Sequence, residues 1–520
     1  MTSAIFSFAP GSRPGVNRPR CFQPLWHWSL GVLAALLALG AVQAQGPAVP
    51  VVVSTAPCPL RLEHVLYSIT NQYPPLLAAL IERDIAAGRL KTAGAAFDFN
   101  AFAKLFGTPV GYYESGTGEV GFEQFTGVWG STVFGGYRYT GGDRLPDYYS
   151  NRTEGGGEIR FGVEVPLLRD GSIDRRRAAV LKARLDQKLA DPVIARQQLD
   201  FIRAGTVAYV NWLATGQRYL IASNLLAVAR ARAFALTNQF ESGLVPKIVL
   251  KDNDRLVVSR ELSLVQSRRR FEAASLTLSL FYRGSDDSPI VAPMECLPPA
   301  FPETPVLDEM DVGPAIATAL RARPELRRFQ LNREKLEVDR RLVRNQLLPN
   351  LNAGVSVTQD FGEEIYKDLA EPQLKAGVEF KMPLQRSDAK GRLVEVEGLL
   401  ERLSNEERFA RDRIRAEIQD AYSAFLAASE QIQQTRLNVD LAEELLAAEV
   451  DRFRLGATDL LALQLREQAA MDARNLEVDA SAEVLRALAD YRAATAMDLA
   501  GPRVPMPATD SRFGEGPIPD

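Results

Sequence analysis

The apolar positions of this chain repeat with two periods, and the periods succeed one another in the same order twice. Each half opens on a helical pattern after proline: Leu76 to Leu90 first, then Leu326 to about Leu347, where Pro324 sits in the first turn and its missing N–H costs nothing. The period then drops to two. From Glu158 to Val165 the apolar residues are Ile159, Phe161, Val163 and Val165; from Asn350 to Thr358 they are Leu351, Ala353, Val355 and Val357. From Gln373 to Met382 they are Leu374, Ala376, Val378, Phe380 and Met382. Trp129 to Thr140 is a noisier run, with Trp129, Val133, Tyr137 and Tyr139 on one face. These patterns predict four strands of about ten residues, a length that crosses a bilayer when tilted but equally suits a half-buried sheet in water.

After each strand pair comes a very long helical stretch, Asp174 to Phe240 and Asp388 to Phe453. About 65 residues rising 1.5 Å each extend on the order of 100 Å, more than a globular core can use. The register is a heptad: Ile418, Ala421, Phe425, Ala428, Ile432, Thr435, Val439, Ala442 and Leu446 alternate spacings of three and four. Every second position of that seam is small, so a partner helix can approach closely. The two stretches end at Gly243 and Gly456, residues suited to a tight reversal, and return helices are predicted from about Val249 to Phe281 and Asp459 to Met497.

The halves align. Ala208-Tyr209-Val210-Asn211-Trp212 matches Ala421-Tyr422-Ser423-Ala424-Phe425 at 421 − 208 = 213, and Phe240-Glu241-Ser242-Gly243 matches Phe453-Arg454-Leu455-Gly456 at the same offset. Gly162-Val163-Glu164 matches Gly377-Val378-Glu379 at 377 − 162 = 215, whereas Pro74 and Pro324 are 324 − 74 = 250 apart. The first half therefore carries 250 − 215 = 35 extra residues, placed near 97–125 and rich in glycine and aromatics. The expected organisation is a signal peptide at 1–44, a first repeat at 45–288, a Pro-rich linker at 289–305, a second repeat at 306–500 and a flexible tail at 501–520. Polar stretches from Gly141 to Gly157 and Gln359 to Pro372 are the expected outward loops, and the sequon Asn151-Arg152-Thr153 in the first reads as coincidence.

The N-terminal segment carries Arg13, Arg18 and Arg20, an apolar run from Trp28 to Val42, and Val42-Gln43-Ala44, the pattern of a cleavable export signal. No other uninterrupted apolar stretch reaches the roughly 18 residues of a spanning helix, so any membrane crossing falls to the strands. Four strands cannot close a barrel, and an open edge in lipid leaves backbone groups unpaired, so a membrane reading requires several copies. Net charge is −4, against a nucleic-acid partner. Cys58 and Cys296 remain after processing; they either pair across the first repeat or stay as two buried thiols. His64 is the only histidine of the mature chain, which leaves no histidine metal site and few nucleophile–base schemes. No cofactor is implied.

Arg323-Pro324-Glu325-Leu326, Leu347-Leu348-Pro349-Asn350-Leu351, Arg452-Phe453-Arg454-Leu455-Gly456-Ala457-Thr458 and Gly243-Leu244-Val245 resemble the TolC-like outer-membrane efflux proteins over essentially the whole mature chain. The resemblance implies a mainly α, internally duplicated fold with a small β part: a homotrimer whose four strands per subunit build a 12-stranded β-barrel, continued by a periplasmic α-barrel of antiparallel coiled coils. It implies a channel rather than an enzyme, set in outer-membrane lipid. It further implies that the tips, Gly243, Leu244, Val245, Leu455 and Gly456, dock a periplasmic adaptor (membrane fusion protein) serving an inner-membrane RND or ABC transporter. Members of the family narrow the entrance with aspartates six and nine residues after the second tip glycine, where this chain has Ala462 and Leu465; Asp252 and Asp254 after the first tip are the substitute candidates. The competing reading is a periplasmic adaptor or coiled-coil scaffold without a channel, which also uses long antiparallel helices.

Overall fold

The computed structural model describes residues 58–499 apart from 113, 143–144, 146–150, 285, 304–311 and 370. The expected signal peptide, the tail and the last two positions of the linker lie outside the described residues. In chain order the elements are α1 (Leu62–Gln72), α2 (Pro74–Gly94), β1 (Asn100–Thr108), β2 (Ser115–Phe125), β3 (Thr132–Gly142), β4 (Glu158–Pro166), α3 (Arg175–Glu241) and α4 (Lys247–Ser279). Then follow α5 (Val312–Ala322), α6 (Pro324–Gln346), β5 (Asn350–Asp360), β6 (Gln373–Lys381), α7 (Ser387–Arg454) and α8 (Leu460–Thr495).

The long helices start where local chemistry lets them. Asp174 caps α3 by accepting from the Arg177 N–H at 2.8 Å, and Asp459 caps α8 by accepting from the Ala462 N–H at 2.8 Å. Along α7 the seam residues Ile418, Ala421, Phe425, Ala428, Ile432 and Val439 are all buried. Phe425, Ala428 and Ile432 pack on Ala480, Val484 and Ala487 of α8, and Ile418 and Ala421 on Tyr491 and Ala494, so the two helices form a close antiparallel pair. α3 has one 18-residue window with a mean hydropathy of 1.3, apolar enough to pass for a membrane span. At 67 residues it is about 100 Å long, some three times the hydrocarbon thickness of a bilayer. It is packed instead against α4, α6 and α8.

The six strands form one antiparallel sheet in the order β1-β2-β3-β4-β5-β6. The expectation of four strands is corrected: the extra segment near 97–125 is a hairpin, β1–β2, paired to β3 over its whole length from Ser115↔Gly142 to Phe125↔Thr132. Its alternation was invisible to hydropathy for a physical reason. One face of the hairpin is Ala101, Ala103, Leu105 and Gly107 against Gly116, Gly118, Val120 and Phe122, so alanine and glycine interrupt its apolar side chains, and the other face mixes Phe102 and Phe106 with Lys104 and Glu119. Trp129, expected on a strand, lies in the turn before β3 with φ 54°. Elsewhere the dyad holds: Val133, Tyr137, Ile159, Phe161, Val163, Val355, Val357, Leu374, Val378 and Phe380 share one face, and all are exposed.

The two loops expected to face outward are locked together. The Glu154 carboxylate accepts from the Tyr366 N–H at 3.0 Å and from the Ile365 N–H, the Gly156 N–H donates to the Phe361 carbonyl at 2.6 Å, and Arg152 pairs with Asp368 while lying 4.8 Å above the Tyr366 ring. The sequon asparagine is used structurally, accepting from Arg138 at 3.0 Å.

The largest core gathers Trp212, Tyr209 and Leu213 of α3 with Val65 and Ile69 of α1, Phe271 and Leu278 of α4, and Val478 and Leu485 of α8. The segment before α1 is fastened to the linker: the Leu60 N–H donates to the Cys296 carbonyl at 2.9 Å, and the Tyr209 hydroxyl donates to the Leu60 carbonyl at 3.0 Å. The structure joins the Cys58 and Cys296 sulfurs, with Cα atoms 4.5 Å apart across 238 residues. A cross-link over so long a loop removes denatured-state entropy, so Cys296→Ser is expected to lower unfolding free energy by about 2–4 kcal/mol. Thermal melts of the oxidised protein against this variant check the loss. An unchanged midpoint would show that the link contributes nothing.

Candidate functional site

The four long helices lie in the order α4, α3, α8, α7: α4 packs on α3, α3 on α8, and α8 on α7. Both hairpins reverse through the same geometry. In the first, the Gly243 N–H donates to the Phe240 carbonyl at 2.9 Å and the Leu244 N–H to the Gln239 carbonyl at 2.9 Å. In the second, the Gly456 N–H donates to the Phe453 carbonyl at 3.0 Å and the Ala457 N–H to the Arg452 carbonyl at 2.9 Å. This pattern requires a left-handed residue, and the glycines supply it at φ 76° and 71°. Among the described residues nothing beyond the adjoining chain lies within 4 Å of where a Cβ would stand at either one, so the tips are open to a partner.

Leu244 and Leu455 stand out into solvent, 75% and 83% exposed, while Val245 is half-buried. The patch extends beyond the residues read from sequence: Ile248 on α4, and Leu461 and Leu465 on α8, are also exposed. Their signal was present as apolar residues flanking a helix start, but only the fold shows that they face outward.

The candidate constriction acids are partnered. Asp252 accepts from Gln464 at 3.3 Å and from Arg255 at 3.3 Å, and Asp254 pairs with Lys251 at 3.6 Å. Deeper in the hairpins, Arg232 of α3 and Glu467 of α8 form a bidentate pair that is almost fully buried. Burial pushes the Arg232 guanidinium below its ordinary range, with nearby Arg260 adding to that push. Sequence reading missed this pair because its members lie 235 positions apart.

The outer helices carry apolar residues left exposed among the described residues: Val258, Leu262 and Val265 on α4, and Leu437, Leu441 and Leu445 on α7. The α4 residues alternate spacings of four and three, and the α7 residues recur every four, so each set lines one face of its helix. Among the described residues no cluster of three or more His, Cys, Asp or Glu side chains is arranged to hold a metal ion.

No family model matches the sequence, and no curated protein matches it. The fold has clear counterparts among solved structures. The outer-membrane channel OprN aligns over 84% of this chain and 89% of its own at 15% identity, with a TM-score of 0.61. The outer membrane protein VceC of Vibrio cholerae aligns over 84% and 95% at 16% identity, with a TM-score of 0.59. The MtrE outer membrane channel of Neisseria gonorrhoeae aligns over 84% and 88% at 14% identity, with a TM-score of 0.62. The chain thus has the fold of the TolC-like outer-membrane channels, the architecture its own residues resemble.

Proposed function

We propose that three copies of this chain form an outer-membrane channel, the exit duct of a tripartite efflux or type I secretion complex, passive in itself and driven by an inner-membrane RND or ABC transporter. The observation that carries this reading is the union, in one chain, of an antiparallel sheet whose apolar face exposes most of its large side chains and helical hairpins about 100 Å long. The first suits lipid and the second reaches into the periplasm. Assembly follows from the uncovered faces. α4 of one copy meets α7 of the next, burying Val258, Leu262 and Val265 against Leu437, Leu441 and Leu445. We read the two halves, 45–288 and 306–500, as one duplicated unit, because each runs helix, strands, long helix, glycine reversal and return helix, the first with the β1–β2 hairpin added.

The tips present Gly243, Leu244, Val245, Leu455 and Gly456 to the hairpin of a periplasmic adaptor, and Asp252 and Asp254 ring the entrance. The expected result is recovery in the outer-membrane fraction as a trimer that conducts in planar bilayers with a preference for cations. Asp252→Asn with Asp254→Asn weakens that preference. Recovery in the soluble periplasm or the inner membrane sinks the channel and favours the scaffold; unchanged ion preference in the double variant removes only the acidic entrance.

A further inference from the structure

A sheet that must close through other copies closes at its free edges, and here those are not the edges the four-strand expectation supplies. Without the hairpin, β3 and β6 would be the edges, and three copies would make twelve strands. In this chain the outer side of β3 is taken along its whole length by β2. The free edges are β1 and β6, which run in opposite directions and so can pair antiparallel like every other neighbour in the sheet.

The hairpin also belongs to the sheet chemically. On the polar face a single row runs Lys104↔Glu119↔Arg138↔Glu158 across four strands. Arg138 pairs with Glu158 at 2.5 Å, and Arg160 crosses diagonally to Glu119 of the hairpin. On the opposite face Leu105 and Val120 stand exposed, continuing the apolar surface. A flap lying in water needs neither a lumen-facing charge row nor an apolar back aligned with the lipid-facing side of β3 to β6.

We propose that the assembled protein is an 18-stranded barrel, six strands from each of three copies, closed by β6 of one copy on β1 of the next. This rests on the trimeric channel reading above. The helical ring has room for the extra strands. Where sheet and helices join, the helix order α2, α3, α6, α7 follows the sheet order, since α2 leads into β1, β4 into α3, α6 into β5 and β6 into α7. Four helices spaced 8–10 Å apart span about 32–40 Å of arc. Strands 4.8 Å apart and tilted near 40° take about 6.3 Å each, so six span about 38 Å and four only about 25 Å. Six strands therefore match the helical ring beneath them, with no taper. An 18-stranded barrel has a backbone radius of about 18 Å against about 12 Å for twelve strands, roughly 2.2-fold in cross-section. The outer-membrane mouth is then as wide as the helical duct, and selection of cargo by size is left to the periplasmic tips.

The test uses the full-length protein in membranes, with single cysteines added to β6 and to one of two candidate partners. Ala376→Cys is combined in turn with Ala101→Cys, Ala103→Cys or Leu105→Cys on β1, and with Val133→Cys, Tyr137→Cys or Tyr139→Cys on β3; a strand count by electron cryomicroscopy of the purified trimer stands beside it. The expected result is intersubunit cross-links in at least one β6–β1 combination, none with β3, and 18 strands. Cross-links to β3 or a count of twelve in a membrane-inserted trimer overturns the wide barrel and leaves the channel standing. A monomer outside the outer membrane overturns both.

Discussion

Gly243→Val combined with Gly456→Val is expected to abolish export while the protein still inserts and assembles. Both glycines hold a left-handed backbone, at φ 76° and 71°, and each closes the last carbonyls of a helix some 100 Å from the sheet. A β-branched residue there costs about 1–2 kcal/mol. The strain is relieved locally, because nothing packs on either site within the chain: the reversal opens, Leu244 and Leu455 swing away, and the cores around Trp212 and Ile418 are untouched. Each 1.4 kcal/mol lost from docking is a tenfold loss in affinity, so two disrupted tips per copy weaken an adaptor complex by about a hundredfold or more. The measurements are outer-membrane content, trimer yield and export rate in cells. Leu244→Ser with Leu455→Ser is the companion variant, since it keeps the backbone and removes only the apolar contacts. Normal export by both variants would take docking away from the tips.

These tips were legible because helix termination is a local problem. A heptad that stops at glycine and resumes a few residues later needs no tertiary information to be read as a hairpin. The same holds for β4, β5 and β6, whose alternation is written in large apolar side chains. The β1–β2 hairpin escaped because Ala101, Ala103, Gly107, Gly116 and Gly118 interrupt the face that holds Leu105, Val120 and Phe122, while Phe102 and Phe106 fall on the opposite face and blur the alternation. Short α1 and α5, each set before a proline-led helix, escaped as well; eleven residues give a weak period, and their burial against α3, α7 and α8 decides them. Buried charge was least legible of all. Whether an arginine is a solvated face or a structural tie depends on what lies opposite, and the partners of Arg232 and Arg323 come from distant parts of the chain.

Arg323→Ala is expected to cause the largest loss of stability among single substitutions at charged positions, about 3–5 kcal/mol, as when one partner of a buried charge network is removed. The guanidinium is 3% exposed and stands where α5 ends and α6 begins. It donates to the Ala494 carbonyl of α8 at 2.8 Å, to Glu325 of α6 at 2.9 Å and to Glu417 of α7 at 2.9 Å, so one side chain ties three helices at the point where the second half leaves the linker. Burial by itself would raise the Glu325 carboxyl; its backbone N–H bond together with Arg323 and Arg196 outweighs that and holds it below the ordinary value of 4.5. A folded-state value below the unfolded one contributes stability that is present above about pH 4.5 and is lost as pH falls through the depressed value. Removing Arg323 strips one of the two cations from Glu325, so the gap between native and variant is widest near neutrality and narrows as Glu325 protonates. Urea unfolding at pH 7 and pH 4 measures it, with Arg323→Lys restoring the charge but not the three-way fork. A gap that stays constant between the two pH values would show that Arg323 does not act through the Glu325 charge, leaving its bond to the Ala494 carbonyl and its packing.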